Sequence, residues 1–231
     1  MPARNRTKIY IENGYYHIYN RGVEKRRIFL DKQDYAVFLS YLKNYLTPKD
    51  EAGLLRIISD INVSYKEKSN ALKLLRLNNF FGEITLLAYC LMPNHFHLFI
   101  KQKNPQSIDK FMQSLATRYT MYFNRKHKRV GFLYQDIYKA VLIDHEEQFI
   151  YLSKYIHKQA LIHLATKGPT LQDWEGQQPS SIKNYLGQKK SEWVNTKEIL
   201  TYFSKTNPNL SYESFLSDSD DYSIIQNKLL E

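Results

Sequence analysis

From Ile84 to Ile100 the chain carries no charged side chain, and Pro93-Asn94 interrupts this run. Two apolar stretches of strand length around a turn signal predict a pair of β-strands. The interruption and the short arms argue against a membrane span. The second arm is almost continuously hydrophobic, which predicts a central strand buried on both faces. It opens with His95-Phe96-His97. Residues two apart on a strand point to one face, about 6.5–7 Å apart. His95 and His97 therefore present two imidazoles side by side, with Phe96 on the opposite face. Such a pair can grip a metal ion or a phosphate, although alternating polar residues on a half-exposed strand have the same pattern.

The flanking sequence supplies a fold around this pair. Gly14 to Arg21 is rich in β-formers and predicts a first strand ended by Gly22. Asp31 can cap a helix from Lys32 to Leu46, with Tyr35, Phe38, Leu39, Leu42 and Leu46 at helical spacing. Residues 47–79 break the rhythm and predict an inserted helical hairpin, with helices near Glu51–Ile61 and Tyr65–Leu77. The second of these carries Lys66, Lys68, Lys73 and Arg76; a solvated face is the ordinary reading of such charge.

Phe80 to Leu91 and His95 to Lys101 are the next strands. A helix capped by Ser107 and reaching His127 follows, then a strand over Phe132 to Ile143. Asp144-His145-Glu146-Glu147 reads as a capping box opening a helix to about Ala165, closed by Gly168-Pro169. The order strand, helix, strand, strand, helix, strand, helix predicts an α+β fold. Its sheet is antiparallel and ferredoxin-like, with helices mainly on one face. Residues 1–170 form the main domain. Residues 171–231 form an extension docked on it through Trp174, Tyr185, Trp193 and Phe203, with an acidic tail.

The net charge is +10 over 231 residues, and 19 tyrosines stand against 2 tryptophans. Acids gather near the C-terminus (Glu213, Asp218, Asp220, Asp221, Glu231), so the remainder is more basic still. A basic body with many planar side chains suits a polyanion that offers faces to stack on; a solvated basic surface gives the same charge. Cys90 is the single cysteine, which excludes an intrachain disulfide and a cysteine-based zinc site. The N-terminus lacks a signal-like apolar stretch, and the expected location is cytoplasmic with no membrane association.

A second constellation lies on the helix opened by Asp144. Phe149, Leu152, Ile156 and Ala160 form its apolar stripe, and Tyr151, Tyr155 and Gln159 run along the edge at i, i+4, i+8. Tyr155 and Gln159 lie one turn apart, which suits a phenol aimed at a phosphate and a carboxamide oxygen aimed at a cation. Amphipathic filling by tyrosines is the plain alternative. Tyr151 and Tyr138 rival Tyr155 as the phenol so aimed. His157 faces elsewhere and is expected at the surface, and His17 reads as a cross-strand packing residue. Arg21, Arg118, Arg125, Lys154 and Lys158 are candidate phosphate contacts.

Pro93-Asn94-His95-Phe96-His97 followed by Tyr155-Ile156-His157-Lys158-Gln159 resembles the HUH single-tyrosine transposases, of the insertion-sequence and REP-associated kinds. Further segments resemble them in the same order: Tyr16-His17-Ile18-Tyr19-Asn20-Arg21-Gly22, Phe111-Met112-Gln113-Ser114-Leu115, Gly131-Phe132-Leu133-Tyr134-Gln135 and Ser181-Ile182-Lys183-Asn184-Tyr185-Leu186-Gly187. The resemblance covers residues 14–46 and 80–203 and implies an HUH fold. It also implies His95, His97 and Gln159 as ligands of Mg²⁺ or Mn²⁺, and Tyr155 as the nucleophile. The chain departs from the family where Gln159-Ala160 replaces the usual Asn-Pro. The implied activity is cleavage and rejoining of single-stranded or hairpin DNA through a 5′-phosphotyrosine, by a monomer or homodimer. The alternative is a domesticated protein that binds hairpins without cutting.

Overall fold

The computed structural model describes residues 8–162 and 178–218. Four strands form one sheet: β1 (Tyr15–Arg21), β2 (Ile84–Met92), β3 (His95–Gln102) and β4 (Lys139–Ile143). Their order is β2-β3-β1-β4, and every neighbouring pair is antiparallel. With α1 (Lys32–Leu46) after β1 and α4 (Ser107–Lys126) after β3, this is a ferredoxin-like arrangement.

Side-chain alternation builds two separate cores. Tyr16 and Ile18 of β1 and Phe96, Leu98 and Ile100 of β3 face α1 and α4, where they meet Phe38, Leu42, Phe111, Leu115 and Tyr119. Phe99 of β3 and Leu87, Ala88, Cys90 and Met92 of β2 face the other way, against α5 (Glu146–Ile162). The helices α1 and α4 thus share one face, as expected, while α5 takes the other.

Each helix boundary has a local cause. Asp31 accepts a hydrogen bond from Asp34 N at 3.0 Å and caps α1, which stops before Pro48. The expected cap Ser107 is instead the first helical residue of α4, and its hydroxyl donates to Glu83 Oε2 at 3.3 Å. The last strand is shorter than its sequence suggests. Residues 132–138 bend after Gly131, which has φ +84°, and only Lys139–Ile143 pairs with β1 along its length.

The insertion forms α2 (Glu51–Ser59) and α3 (Tyr65–Leu75), the latter opened by a Ser64–Glu67 capping box. Within the pair only Ala71 is fully buried. Its two ends are tied at the neck, where Phe80 N donates to Tyr45 O at 2.8 Å and Asn79 Nδ2 to Thr47 O at 2.8 Å.

Residues 178–218 carry short helices α6 (Ile182–Tyr185), α7 (Lys197–Leu200) and α8 (Tyr212–Ser217). This segment seals the open edge of β2: Leu91 N donates to Pro179 O and Ser181 N to Tyr89 O. Trp193 stacks on Tyr89, and Phe203 joins the α5 core. The helix end near Ala165, Gly168-Pro169, Trp174, the boundary at 170 and most of the acidic tail lie outside the described residues. Among the described residues no helix is long and apolar enough to cross a membrane.

Asp34 joins the two helices of one layer. It is fully buried and accepts from Leu30 N, Tyr122 Oη, Lys126 Nζ and His127 Nε2. Burial pushes its carboxyl pKa up; the hydrogen bonds from Lys126, Leu30 N, His127 and Tyr122 outweigh burial and hold it below 3.8. Asp34→Ala is expected to cost about 2–3 kcal/mol, because Lys126 and His127 lose their shared anion. The depressed pKa makes this contribution fully present above the ordinary carboxylate range. It is lost as pH falls below that range through the folded value. Urea unfolding of wild type and Asp34→Ala from pH 7 into the acid range checks both: the gap between them must close in acid.

Candidate active site

The register between β1 and β3 assembles the site. Arg21 pairs with His95 and Tyr19 with His97, so odd-numbered residues of β1 lie on the same face as the two imidazoles. The rings of His95 and His97 are 5.0 Å apart and nearly perpendicular. The Phe96 ring points into the opposite core.

Tyr155 of α5 reaches this face. Its ring lies 5.5 Å from that of His97 and 6.1 Å from that of His17, edge-on to both. It is 7% exposed, at the margin of the core that holds Leu152 and Ile156. The sheet and α5 thus bring together the two elements whose association the sequence predicts. Gln159 is half-buried one turn beyond Tyr155.

Hydrogen bonds set which nitrogen faces outward. Asn94 Oδ1 lies 2.6 Å from His95 Nδ1, and a carboxamide oxygen only accepts. Nδ1 therefore carries the proton in neutral His95, and Nε2 holds the lone pair. His97 is fully buried, and its Nδ1 lies 2.9 Å from His17 Nε2. Its own Nε2 is buried without a hydrogen-bond partner. Burial, and then the charges of His17, His95 and Arg21, hold the His97 pKa well below the usual histidine value. A neutral imidazole with an orphaned buried nitrogen is what a metal ligand requires. His97 offers that lone pair when its Nδ1–H donates to His17.

His17, expected to pack across the strands, does so against His97. It is fully buried and stacks on His97 with ring planes 19° apart. The signal was available: His17 shares the strand face of Tyr19 and Arg21, and β1 neighbours the strand of the two histidines.

His157 corrects another expectation. It is not at the surface but fully buried, with Nδ1 2.7 Å from Tyr212 Oη and Nε2 2.7 Å from Ser181 Oγ. Tyr212 in turn donates to Ser153 Oγ at 3.0 Å, and Tyr89 N donates to Ser181 Oγ at 2.9 Å. Burial pulls the His157 pKa down to about 3, so it stays neutral. The C-terminal segment thereby clamps the helix that carries Tyr155. No local pattern shows this, because the segment that covers His157 lies beyond α5 in sequence.

The rival nucleophiles stand apart from the histidines. Tyr138 is buried with the α1–α4 core, hydrogen-bonded to Asp109 and Tyr10. Tyr151 packs edge-on against Phe215 at 5.3 Å. Among the phosphate-contact candidates, Arg21 lies beside His95, and Arg125 is exposed at the end of α4. Arg118 stacks over Tyr41 at 3.8 Å in the opposite layer. Lys154, a candidate phosphate contact, is 1% exposed, with its ammonium 4.8 Å from the Phe215 ring of α8. Lys154 and Lys158 both donate to Asp218 O at 3.2 Å. Among the described residues no three His, Cys, Asp or Glu side chains form a metal cage.

Residues 63–159 match the family model described as "Transposase IS200 like". No curated protein matches. Among solved structures, the chain is similar to a REP-associated tyrosine transposase bound to a REP hairpin, at 11% identity and a TM-score of 0.48. The similarity covers 84% of this chain and 98% of that one. A Deinococcus radiodurans R1 protein assigned as a transposase is similar at 17% identity and a TM-score of 0.27, over 67% of this chain and 97% of that one.

His17→Leu keeps apolar volume but removes the partner of His97 Nδ1. It is expected to weaken Mn²⁺ binding about 10- to 100-fold in a calorimetric titration; unchanged affinity would leave His17 a packing residue. His157→Leu removes one hydrogen bond from each of the buried Ser181 and Tyr212 hydroxyls and is expected to cost about 2–3 kcal/mol by chemical unfolding.

Proposed function

We propose, for a chain whose residues 63–159 match the IS200-like transposase model, a DNA transposase that cuts and rejoins one strand of hairpin-containing DNA through Tyr155. The observation that carries this reading is the Tyr155 ring set 5.5 Å from His97, whose Nε2 is buried and unpartnered. The donor set of His95, His97 and the Gln159 carboxamide fits Mg²⁺ or Mn²⁺, with imidazole favouring Mn²⁺. When bound, such an ion supplies charge neutralisation and orientation at the scissile phosphate.

The residues of the chain account for the remaining work. A protonated phenol is a poor nucleophile, so the Tyr155 hydroxyl depends on being positioned against the phosphate. Its oxygen attacks phosphorus, the Tyr155 O–P bond forms, and the bond from phosphorus to the 3′ oxygen breaks. The phenol proton is lost, and the leaving oxygen becomes a 3′-OH. One phosphodiester replaces another, so a 3′-OH can reverse the step and join strands without ATP. Arg21, beside His95, is placed to meet the phosphate. The clamp on α5 through His157 fixes Tyr155 against the sheet. Paired duplex hides the backbone geometry this attack needs, which favours an unpaired segment beside a hairpin.

The test uses a labelled pool of single-stranded hairpins, incubated with wild type or Tyr155→Phe in Mn²⁺ or EDTA and run on a denaturing gel. The expected result is a metal-dependent protein–DNA band that Tyr155→Phe abolishes, together with its cleavage. Cleavage that persists in Tyr155→Phe without the band would point to a metal-water hydrolase. Binding of many hairpins without any cleavage would point to the domesticated binder.

A further inference from the structure

The loop after α4 presents an aromatic side chain that the sheet does not use. Phe132 is 87% exposed and Val130 91% exposed. Single exposed apolar residues are ordinary, but this loop is built. Lys128 and Gly131 hold positive φ at 51° and 84°. Asn124 Nδ2 donates to Gly131 O at 2.9 Å. Arg129 donates to Asn124 Oδ1 at 2.8 Å and to Phe132 O at 3.2 Å. On the far side, Leu133 is buried in the core and its carbonyl accepts from Val23 N at 3.0 Å. The backbone on both sides of Phe132 is fixed, and its ring faces water.

The surroundings are cationic. Arg125 and Lys128 are exposed, and Arg129 lies near Arg26. Arg26 is already paired with the Glu24 carboxylate at 3.0 Å, which leaves Arg125 and Lys128 as the exposed cations of this loop. The loop also joins the end of the sheet that carries the site. Gln135 N donates to Arg21 O at 2.9 Å, Gly22 N donates to Asn94 O at 2.9 Å, and Arg21 pairs with His95. The three residues from Phe132 to Gln135 span at most about 11 Å.

We infer that Phe132 is a stacking platform for an unpaired base of the DNA, flanked by phosphate contacts from Arg125 and Lys128. It is a specificity residue for the strand next to the reacting phosphate, and the inference rests on the strand-transfer reading above. A pinned, exposed ring among cations fits a nucleobase, whose π-face stacks while its phosphates meet the charges. It does not fit a buried apolar interface, in which clustered cations would be desolvated without partners.

The test measures binding in EDTA, so that no strand is cut, with the full chain. The probes are a fluorescent hairpin with a single-stranded flank and a blunt duplex of the same stem. Phe132→Ala is expected to weaken binding to the flanked hairpin about tenfold and to leave the duplex affinity unchanged. Its salt dependence should match wild type, because no phosphate contact is removed. Phe132→Trp should keep wild-type affinity. Phe132 is exposed, so both variants are expected to fold, and circular dichroism checks this. Equal binding of the flanked hairpin by wild type and Phe132→Ala would overturn the platform and leave the Tyr155 reading intact, since the covalent band tests that separately. A loss of molecular mass in light scattering with Phe132→Ala, at unchanged DNA affinity, would make Phe132 a contact between copies and overturn the platform too. No binding by wild type and no covalent band would remove the function and the platform together.

Discussion

Strand β3 is buried on both faces, and its register against β1 decides everything that follows at the site. A slip of one residue would turn His95 and His97 into the α1–α4 core and bring Phe96 out against α5. Two apolar layers oppose that slip. Phe96, Leu98 and Ile100 fill one core, and Phe99 fills the other. The imidazoles are held in place by aromatic packing on the far side of their own strand.

Burial of the site follows from the same two-sided geometry. Low dielectric keeps His97 neutral, and a neutral ring keeps a lone pair. Asn94 then selects which nitrogen of His95 is protonated, and His17 meets Nδ1 of His97. The clamp around His157 acts on the other half of the site: it ties α5 to the segment that seals the edge of β2. Tyr155 and the histidines belong to elements distant in sequence, and the C-terminal segment holds their spacing.

Much of this was legible in the chain. The spacing of Phe38, Leu42 and Leu46, with Asp31 ahead and Pro48 behind, marks α1 to the residue. The alternation around Phe96 assigns the faces of β3. What stayed hidden depends on contacts between remote segments. His157 reads as a surface residue on a helical wheel, because its cover comes from Ser181 and Tyr212. Lys154 reads as a phosphate contact for the same reason, although Phe215 and Asp218 enclose it. The strand predicted from Phe132 is broken: Tyr134 makes a single bridge to Gly22, and the chain then bends at residues 135–137 before it pairs again. Local preference there yields to the turn.

The neck of the α2–α3 hairpin has a separate consequence. Tyr45 O and Phe80 N are joined by a hydrogen bond, so the chain leaves and re-enters the core at nearly one point. Whatever lies between contributes little to the packing of the sheet, since only Ala71 is fully buried within the two helices. The fold is closed there without its insert. That makes the neck a socket: a lineage could lengthen, shorten or exchange the hairpin, and an engineer could seat another module there, without moving a histidine of the sheet.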